Sequence, residues 1–137
     1  MTNKITIYSD GGARGNPGPA AIGTVLYDEG GVVVAEISEY IGETTNNQAE
    51  YKAIIAGLIC AKELGAQTIE CFLDSLLVVE QLNHRYKVKH PGLAPLFLEV
   101  HNLRHHFKQI SFRHIPREKN KAADKLVNLA LDRELGC

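Results

Sequence analysis

Ile5-Thr6-Ile7-Tyr8-Ser9-Asp10-Gly11-Gly12-Ala13-Arg14-Gly15-Asn16-Pro17-Gly18-Pro19-Ala20-Ala21-Ile22-Gly23 is the stretch on which the reading of this 137-residue chain turns. Lys4 to Ser9 alternates apolar and polar side chains with β-branched residues among them, the pattern of a strand. Asp10 follows directly. Residues 11–19 then hold four glycines and two prolines, which predicts a loop or a bulged turn. A carboxylate at the end of a buried strand, beside pliant backbone, is well placed to hold a metal ion and costly to leave without a partner.

Working outward, Ala20 to Tyr27 is a second apolar run, Asp28 to Gly31 a hairpin turn, and Val32 to Ile41 a third strand. Connections this short leave no room for crossover helices, so the three strands form an antiparallel meander. The period then changes. Thr45 with Gln48 fits a capping box, Ala49, Ala53, Ala56 and Cys60 recur at helical spacing, and Gly65 closes the segment. Thr68 to Leu73 reads as a fourth strand that runs into Asp74, with Ser75 capping a helix over Leu76–Leu82. Asn83 to Pro95 is a polar, basic linker. Leu96, Val100, Leu103 and Phe107 mark a third helix, Gln109 to Ile115 a fifth strand stopped by Pro116, and Asn120 to Leu135 a last helix with Ala123, Leu126, Ala130 and Leu131 buried. The order β-β-β-α-β-α-α-β-α predicts an α/β domain over residues 1–137, a mixed five-stranded sheet with helices on its faces.

Composition fits an ordinary globular protein, at 45% hydrophobic and 23% charged residues. No apolar run is long enough to span a membrane, and no apolar signal segment follows the first residues, so the expectation is a cytoplasmic protein. The three cysteines have no metal-ligand spacing and are expected as free thiols, with a Cys60–Cys137 clip as the alternative. A net charge of −1 conceals a division: residues 1–82 carry four basic and eleven acidic side chains, residues 83–125 ten basic and three acidic. That division suits an acidic centre beside a flank that meets a polyanion, though two separately solvated surfaces would give the same counts.

Asp10 and Asp74 each follow an apolar strand, so parallel neighbouring strands would bring them together. Glu50 lies near the start of the first helix and Asp124 in the first turn of the last, where the helix dipole favours negative charge. Four converging carboxylates would take up protons unless cations sat between them, and an oxygen-only cluster suits Mg²⁺ or Mn²⁺ rather than zinc. Two such ions suit phosphodiester hydrolysis, with Asp10 shared, Glu50 and Asp74 on one ion and Asp124 on the other. Singly, each acid also has a plainer reading: a turn residue at Asp10, a solvated helix acid at Glu50, a capping group at Asp74, a helix-start charge at Asp124.

The segments Asp10-Gly11-Gly12-Ala13-Arg14-Gly15-Asn16, Thr45-Asn46-Asn47-Gln48-Ala49-Glu50, Phe72-Leu73-Asp74-Ser75 and Arg117-Glu118-Lys119-Asn120-Lys121-Ala122-Ala123-Asp124 together resemble the ribonuclease HI family, in its compact form, over nearly the whole chain. The resemblance implies a ribonuclease H-like fold with strand order 3-2-1-4-5. It implies a monomeric, metal-dependent endonuclease that cuts the RNA strand of RNA–DNA hybrids and leaves 3′-hydroxyl and 5′-phosphate ends. It maps the metal-binding acids onto Asp10, Glu50, Asp74 and Asp124. Gly11, Gly12, Asn16, Asn46 and Asn47 fall on substrate-contacting positions, and an amide that both donates and accepts suits a ribose 2′-hydroxyl. Asn16, Asn46 and Asn47 would equally serve as turn and capping residues. Where many members carry a loop histidine, Arg117 is the candidate here, for that role or for a phosphate contact. His114 is read as a sheet residue. The basic protrusion and a separate hybrid-binding domain are not seen, which predicts weak, salt-sensitive binding. A same-fold nuclease that also cuts double-stranded RNA, and an inactive hybrid-binding module, are the alternatives.

Overall fold

The computed structural model describes residues 3–136, so Cys137 and any pairing with Cys60 lie outside it. Its elements are β1 (Lys4–Ala13), β2 (Gly18–Tyr27), β3 (Val33–Thr44), α1 (Asn46–Glu63), β4 (Thr68–Leu73), α2 (Leu76–Leu82), α3 (Ala94–Arg104), β5 (Gln109–His114), a 3₁₀ turn (Arg117–Lys119) and α4 (Lys121–Leu135). One five-stranded sheet has the order β3-β2-β1-β4-β5. β1 pairs antiparallel with β2 and β2 with β3, whereas β4 lies parallel to both β1 and β5. The mixed sheet, the antiparallel meander and the implied strand order are all present.

Alternation along β1 sorts the two faces. Ile5 and Ile7 join Leu26, Ile54, Leu58 and Leu73 in the larger core between the sheet and α1. On the other face Ala21 packs with Val127, Ala130 and Leu131 of α4. The buried stripe of α1 is Ala49, Ala53, Gly57 and Ala61, a strict four-residue step. Ala56 and Cys60, expected on that stripe, are half-buried on its flank. Thr45 caps α1 through the full reciprocal box with Gln48, as its sequence predicts.

Several boundaries differ from expectation. The glycine-rich stretch is not a loop from residue 11: β1 continues to Ala13, with Asp10 opposite Gly23 and Gly12 opposite Ala21. Only Arg14–Pro17 is left as a turn, because β2 supplies ladder partners that override the weak strand preference of glycine. α3 begins at Ala94, since Pro95 fits a first turn where its missing N–H has no partner to lose, and it ends at Arg104, leaving the buried Phe107 beyond it. On α4 the buried position is Val127, with Leu126 half-buried beside it.

Two glycines set how closely the helices approach Asp10. A Cβ on Gly11 would lie 2.2 Å from the carbonyl carbon of Ala49 and 2.5 Å from the Glu50 nitrogen, so α1 rests on bare backbone there. A Cβ on Gly23, the ladder partner of Asp10, would lie 2.2 Å from the Ala123 carbonyl oxygen, so α4 does the same on the other face. Both contacts are with backbone, which cannot swing aside. Gly11→Ala is therefore expected to destabilise the fold by about 3 kcal/mol or more, an overpacking cost at the upper end of the usual range, read by urea unfolding. A loss under about 1 kcal/mol would mean that α1 stands off from the strand.

Candidate active site

The strand register does the first half of the assembly. Ser9 pairs with Leu73 in the parallel β1–β4 ladder, so Asp10 and Asp74 are the next residues of two adjacent strands. The glycine contacts do the second half, bringing Glu50 down through Gly11 and Asp124 down through Gly23. Glu50 Oε1 accepts the Gly11 N–H at 3.1 Å, which fixes the carboxylate over the end of β1. Ligand oxygens of Asp10, Glu50 and Asp74 lie within 4.8 Å of one another, and Asp124 borders the same cleft.

This cluster is electrostatically loaded. Asp10 is only 6% exposed and Glu50 5%. Burial pushes the Asp10 carboxyl up to about 6, with the charges of Asp74 and Asp124 adding to the rise and a hydrogen bond from Glu50 opposing it. Glu50 rises well above its ordinary value, through burial first and then through Asp10. Glu50 Oε2 is buried and has no hydrogen-bond partner among the described residues. An orphaned carboxylate oxygen in an oxygen-only nest is what a hard divalent cation would satisfy, so the residues fit such an ion.

Asn120, which the sequence marks only as a helix start, proves central. It is 1% exposed, and its Nδ2 donates to the Ser9 carbonyl and to Asp74 Oδ2, both at 2.9 Å. One amide thus ties the ends of β1 and β4 to the start of α4 and sets the direction of the Asp74 carboxylate. Its spacing four residues before Asp124 marks it as part of a motif, but nothing in the sequence shows what it touches. Asn120→Ala is expected to weaken divalent-ion binding by about tenfold to a hundredfold, the range for removing a hydrogen bond that orients a ligand. A calorimetric titration with Mg²⁺ or Mn²⁺ reads this directly, and unchanged affinity would contradict it.

Asn128 is a second residue that sequence reasoning passes over. Its Nδ2 donates to the Asp124 carbonyl at 3.1 Å and stands 3.5 Å from Oδ2, while its own Oδ1 lies 3.4 Å from Arg14 Nη2. Arg14 in turn pairs with Asp132 at 2.6 Å, latching the turn after β1 to α4.

The remaining sequence-derived residues fall on the rim. Asn46 Oδ1 accepts the Ala13 N–H at 2.8 Å and Asn16 Oδ1 accepts the Asn46 N–H at 3.0 Å. Bracing and recognition are therefore compatible in these two residues, since the carbonyl ends point at backbone and the NH₂ ends have no partner among the described residues. Asn47 borders the cleft, and its side chain makes no hydrogen bond among the described residues. Gly12 lies on the cleft wall, with space for a Cβ at 3.7 Å from Val127, whereas the close approach that needs Gly11 is to α1. Arg117 borders the acids from the 3₁₀ turn. His114 ends β5, exposed, with Nε2 3.2 Å from the Asp74 carbonyl oxygen, to which it donates.

Residues 8–130 match the sequence family described as reverse transcriptase-like. A bifunctional protein of Mycobacterium tuberculosis is 46% identical over 130 residues, spanning 94% of this chain and 36% of that protein, so the chain covers about a third of this relative's length. Ribonuclease HI of Halobacterium salinarum is 44% identical over 129 residues, 94% of this chain and 65% of its own. The crystal structure of RNase H1 from that archaeon superposes with a TM-score of 0.93 over 96% of this chain and 99% of its own. LC11-RNase H1, isolated from compost by a metagenomic approach, is 48% identical over 96% of this chain and 99% of its own in a structure with an RNA/DNA hybrid, TM-score 0.91.

Proposed function

The chain belongs to the ribonuclease HI family, and from that membership we propose that it hydrolyses the RNA strand of RNA–DNA hybrids, leaving 3′-hydroxyl and 5′-phosphate ends. The observation that carries this reading is the meeting of Asp10, Glu50 and Asp74, with Asp124 at the same cleft, around an orphaned carboxylate oxygen. Asp10, Glu50 and Asp74 would hold one Mg²⁺, and Asp10 with Asp124 a second, with Mn²⁺ able to substitute. Bound divalent ions supply Lewis-acid stabilisation of the phosphoryl oxygens and a more acidic water.

The chain's own residues do the rest. Gly11 N–H and Asn120 hold the carboxylates of Glu50 and Asp74 in place, so little reorganisation accompanies the reaction. The unpartnered NH₂ groups of Asn16 and Asn46, with Asn47 beside them, offer donors to base edges and ribose 2′-hydroxyls on the RNA strand. Arg117, which borders the acids, would meet a phosphate near the scissile bond. No covalent nucleophile is called for.

The test is a panel of end-labelled duplexes in Mg²⁺ and in Mn²⁺. Cleavage confined to the RNA of a hybrid is the expected result; equal cutting of double-stranded RNA or DNA, or no cutting in either metal, would contradict it. Grip on the hybrid should be weak. Residues 83–93, between α2 and α3, hold no helix, and Arg85, Lys87 and Lys89 are the basic residues there. With Arg117 added to these three, about four phosphates are neutralised, and log K is expected to fall with log salt at a slope of about −3 to −4. Fluorescence anisotropy at several ionic strengths checks this, and a flat response would refute it.

We further propose that residues 1–137 act as a single catalytic domain, as a monomer and in the cytoplasm. No helix among the described residues is long and apolar enough to cross a membrane, and Cys71 is a buried free thiol, as a reducing compartment permits.

A further inference from the structure

Three histidines gather on the surface at the far end of the sheet from the acids. His101 and His105 stand one turn apart on the last turn of α3 and just past its end, with ring centroids 5.2 Å apart and the rings at 90°. His84, just after α2, lies 6.4 Å from His101 and edge-on to Phe97. His101 and His105 also border a cavity with Lys4, Thr68 and Gln109, the first residues of β1, β4 and β5, whereas Asp10 and Asp74 follow the opposite ends of β1 and β4.

His84 takes a left-handed backbone, φ 62°, the only non-glycine among the described residues to do so. That conformation closes α2: the His84 N–H donates to the Gln81 carbonyl, and the Arg85 N–H to that of Glu80. The cap calls for a residue that tolerates positive φ, a place usually taken by glycine or asparagine. A β-carbon there costs about 1 kcal/mol or more. Histidine therefore brings no capping advantage over glycine, and its ring is sent onto Phe97 and His101. Among the described residues, no ring nitrogen of His84, His101 or His105 makes a hydrogen bond, so each has a nitrogen to offer.

We propose that His101 and His105, with His84 as third donor, bind a borderline divalent transition ion such as Zn²⁺, Ni²⁺ or Cu²⁺. Histidines at i and i+4 present both imidazoles on one helix face, the spacing used by helical zinc sites, and imidazole selects these ions over Mg²⁺. In their present rotamers the rings meet edge to face rather than at one point. All three are exposed, so each ring can turn on its solvent side through the χ1 wells and the broad χ2 torsion, giving up the edge-on ring contacts. The bound ion would join the end of α2 to the end of α3. It is chemically separate from the acid cleft, which is built of oxygens alone.

The experiment uses the full chain, stripped with chelator and then held in excess Mg²⁺ to occupy the carboxylates. Zn²⁺ and Ni²⁺ are titrated by calorimetry, with thermal melting in parallel. One ion per chain is expected, with a rise in melting temperature. His101→Ala and His105→Ala are each expected to weaken binding by at least about tenfold, and His84→Ala by a smaller factor, while hybrid cleavage in Mg²⁺ stays at the wild-type level. Retained cleavage also shows that the variants are folded, so a lost ion cannot be put down to unfolding. Wild-type affinity in both His101→Ala and His105→Ala would overturn the site. Wild-type affinity in His84→Ala alone would overturn the third donor.

Discussion

Asp10→Asn is expected to abolish hybrid cleavage and, in the same protein, to raise the melting temperature measured without metal. The two effects have one cause. Asp10 stands between Glu50, Asp74 and Asp124 and is nearly sealed from water, so its charge is held in place against burial and two like charges. On the proposed function, that charge is the shared ligand when ions are present. Removing it should lower the cleavage rate on the order of 10³-fold or more, comparable with deleting a group that stabilises developing charge in the transition state. Without ions it is a liability. A carboxyl pushed from 3.8 up to about 6 disfavours the ionised fold at neutral pH by at most about 3 kcal/mol, and the neutral amide is free of that cost. Rate assays and chelator-treated melts check both halves. Cleavage within tenfold of wild type, or a lower metal-free melting temperature, would contradict the assigned role.

The unsubstituted protein should show the same loading as a dependence on pH. Asp10 and Glu50 both have raised values in the fold, so between the ordinary carboxylate range near pH 4 and about pH 6 the native state binds more protons than the unfolded chain. The Asp10 contribution to stability is therefore fully present below about pH 4 and is lost as pH rises through about 6, and the Glu50 contribution is lost in the same direction. A divalent cation reverses the trend, because it competes with protons for the same oxygens. The melting temperature gained on adding Mg²⁺ should be larger at pH 8 than at pH 5 and should shrink sharply in Asp10→Asn. A gain independent of pH would place the ion elsewhere.

Much of this site is legible in the residues alone. The apolar alternation into Asp10 and into Asp74, and the capping pair Thr45 and Gln48, report directly on strand ends and a helix start. Local pattern and tertiary arrangement agree at those points, which is why the acids can be picked out. What stays hidden depends on what approaches from elsewhere in the chain. Gly11 reads as turn chemistry until α1 is seen 2.2 Å from where its Cβ would be, and Gly23 reads as one more strand residue until α4 is seen to rest on it. Gly57 is similar, with Thr24 Cγ2 2.9 Å from where a Cβ would be. Asn120 looks like an ordinary residue at the start of a helix, since its two bonds reach back to Ser9 and Asp74. The glycine-rich stretch misleads for a related reason: composition favours a turn, but ladder bonds to β2 carry the strand on to Ala13.

On the proposed function, Gly11, Gly23 and the β1–β4 register assemble four carboxylates to hold the ions that cleave a hybrid. The most direct measurement is anomalous diffraction from Mn²⁺ in crystals of the unsubstituted chain bound to an RNA–DNA hybrid whose RNA strand carries a non-cleavable linkage. Two peaks roughly 4 Å apart are expected among Asp10, Glu50, Asp74 and Asp124, flanking one RNA phosphate. A hybrid bound in the cleft with no peak among those four side chains would contradict that role.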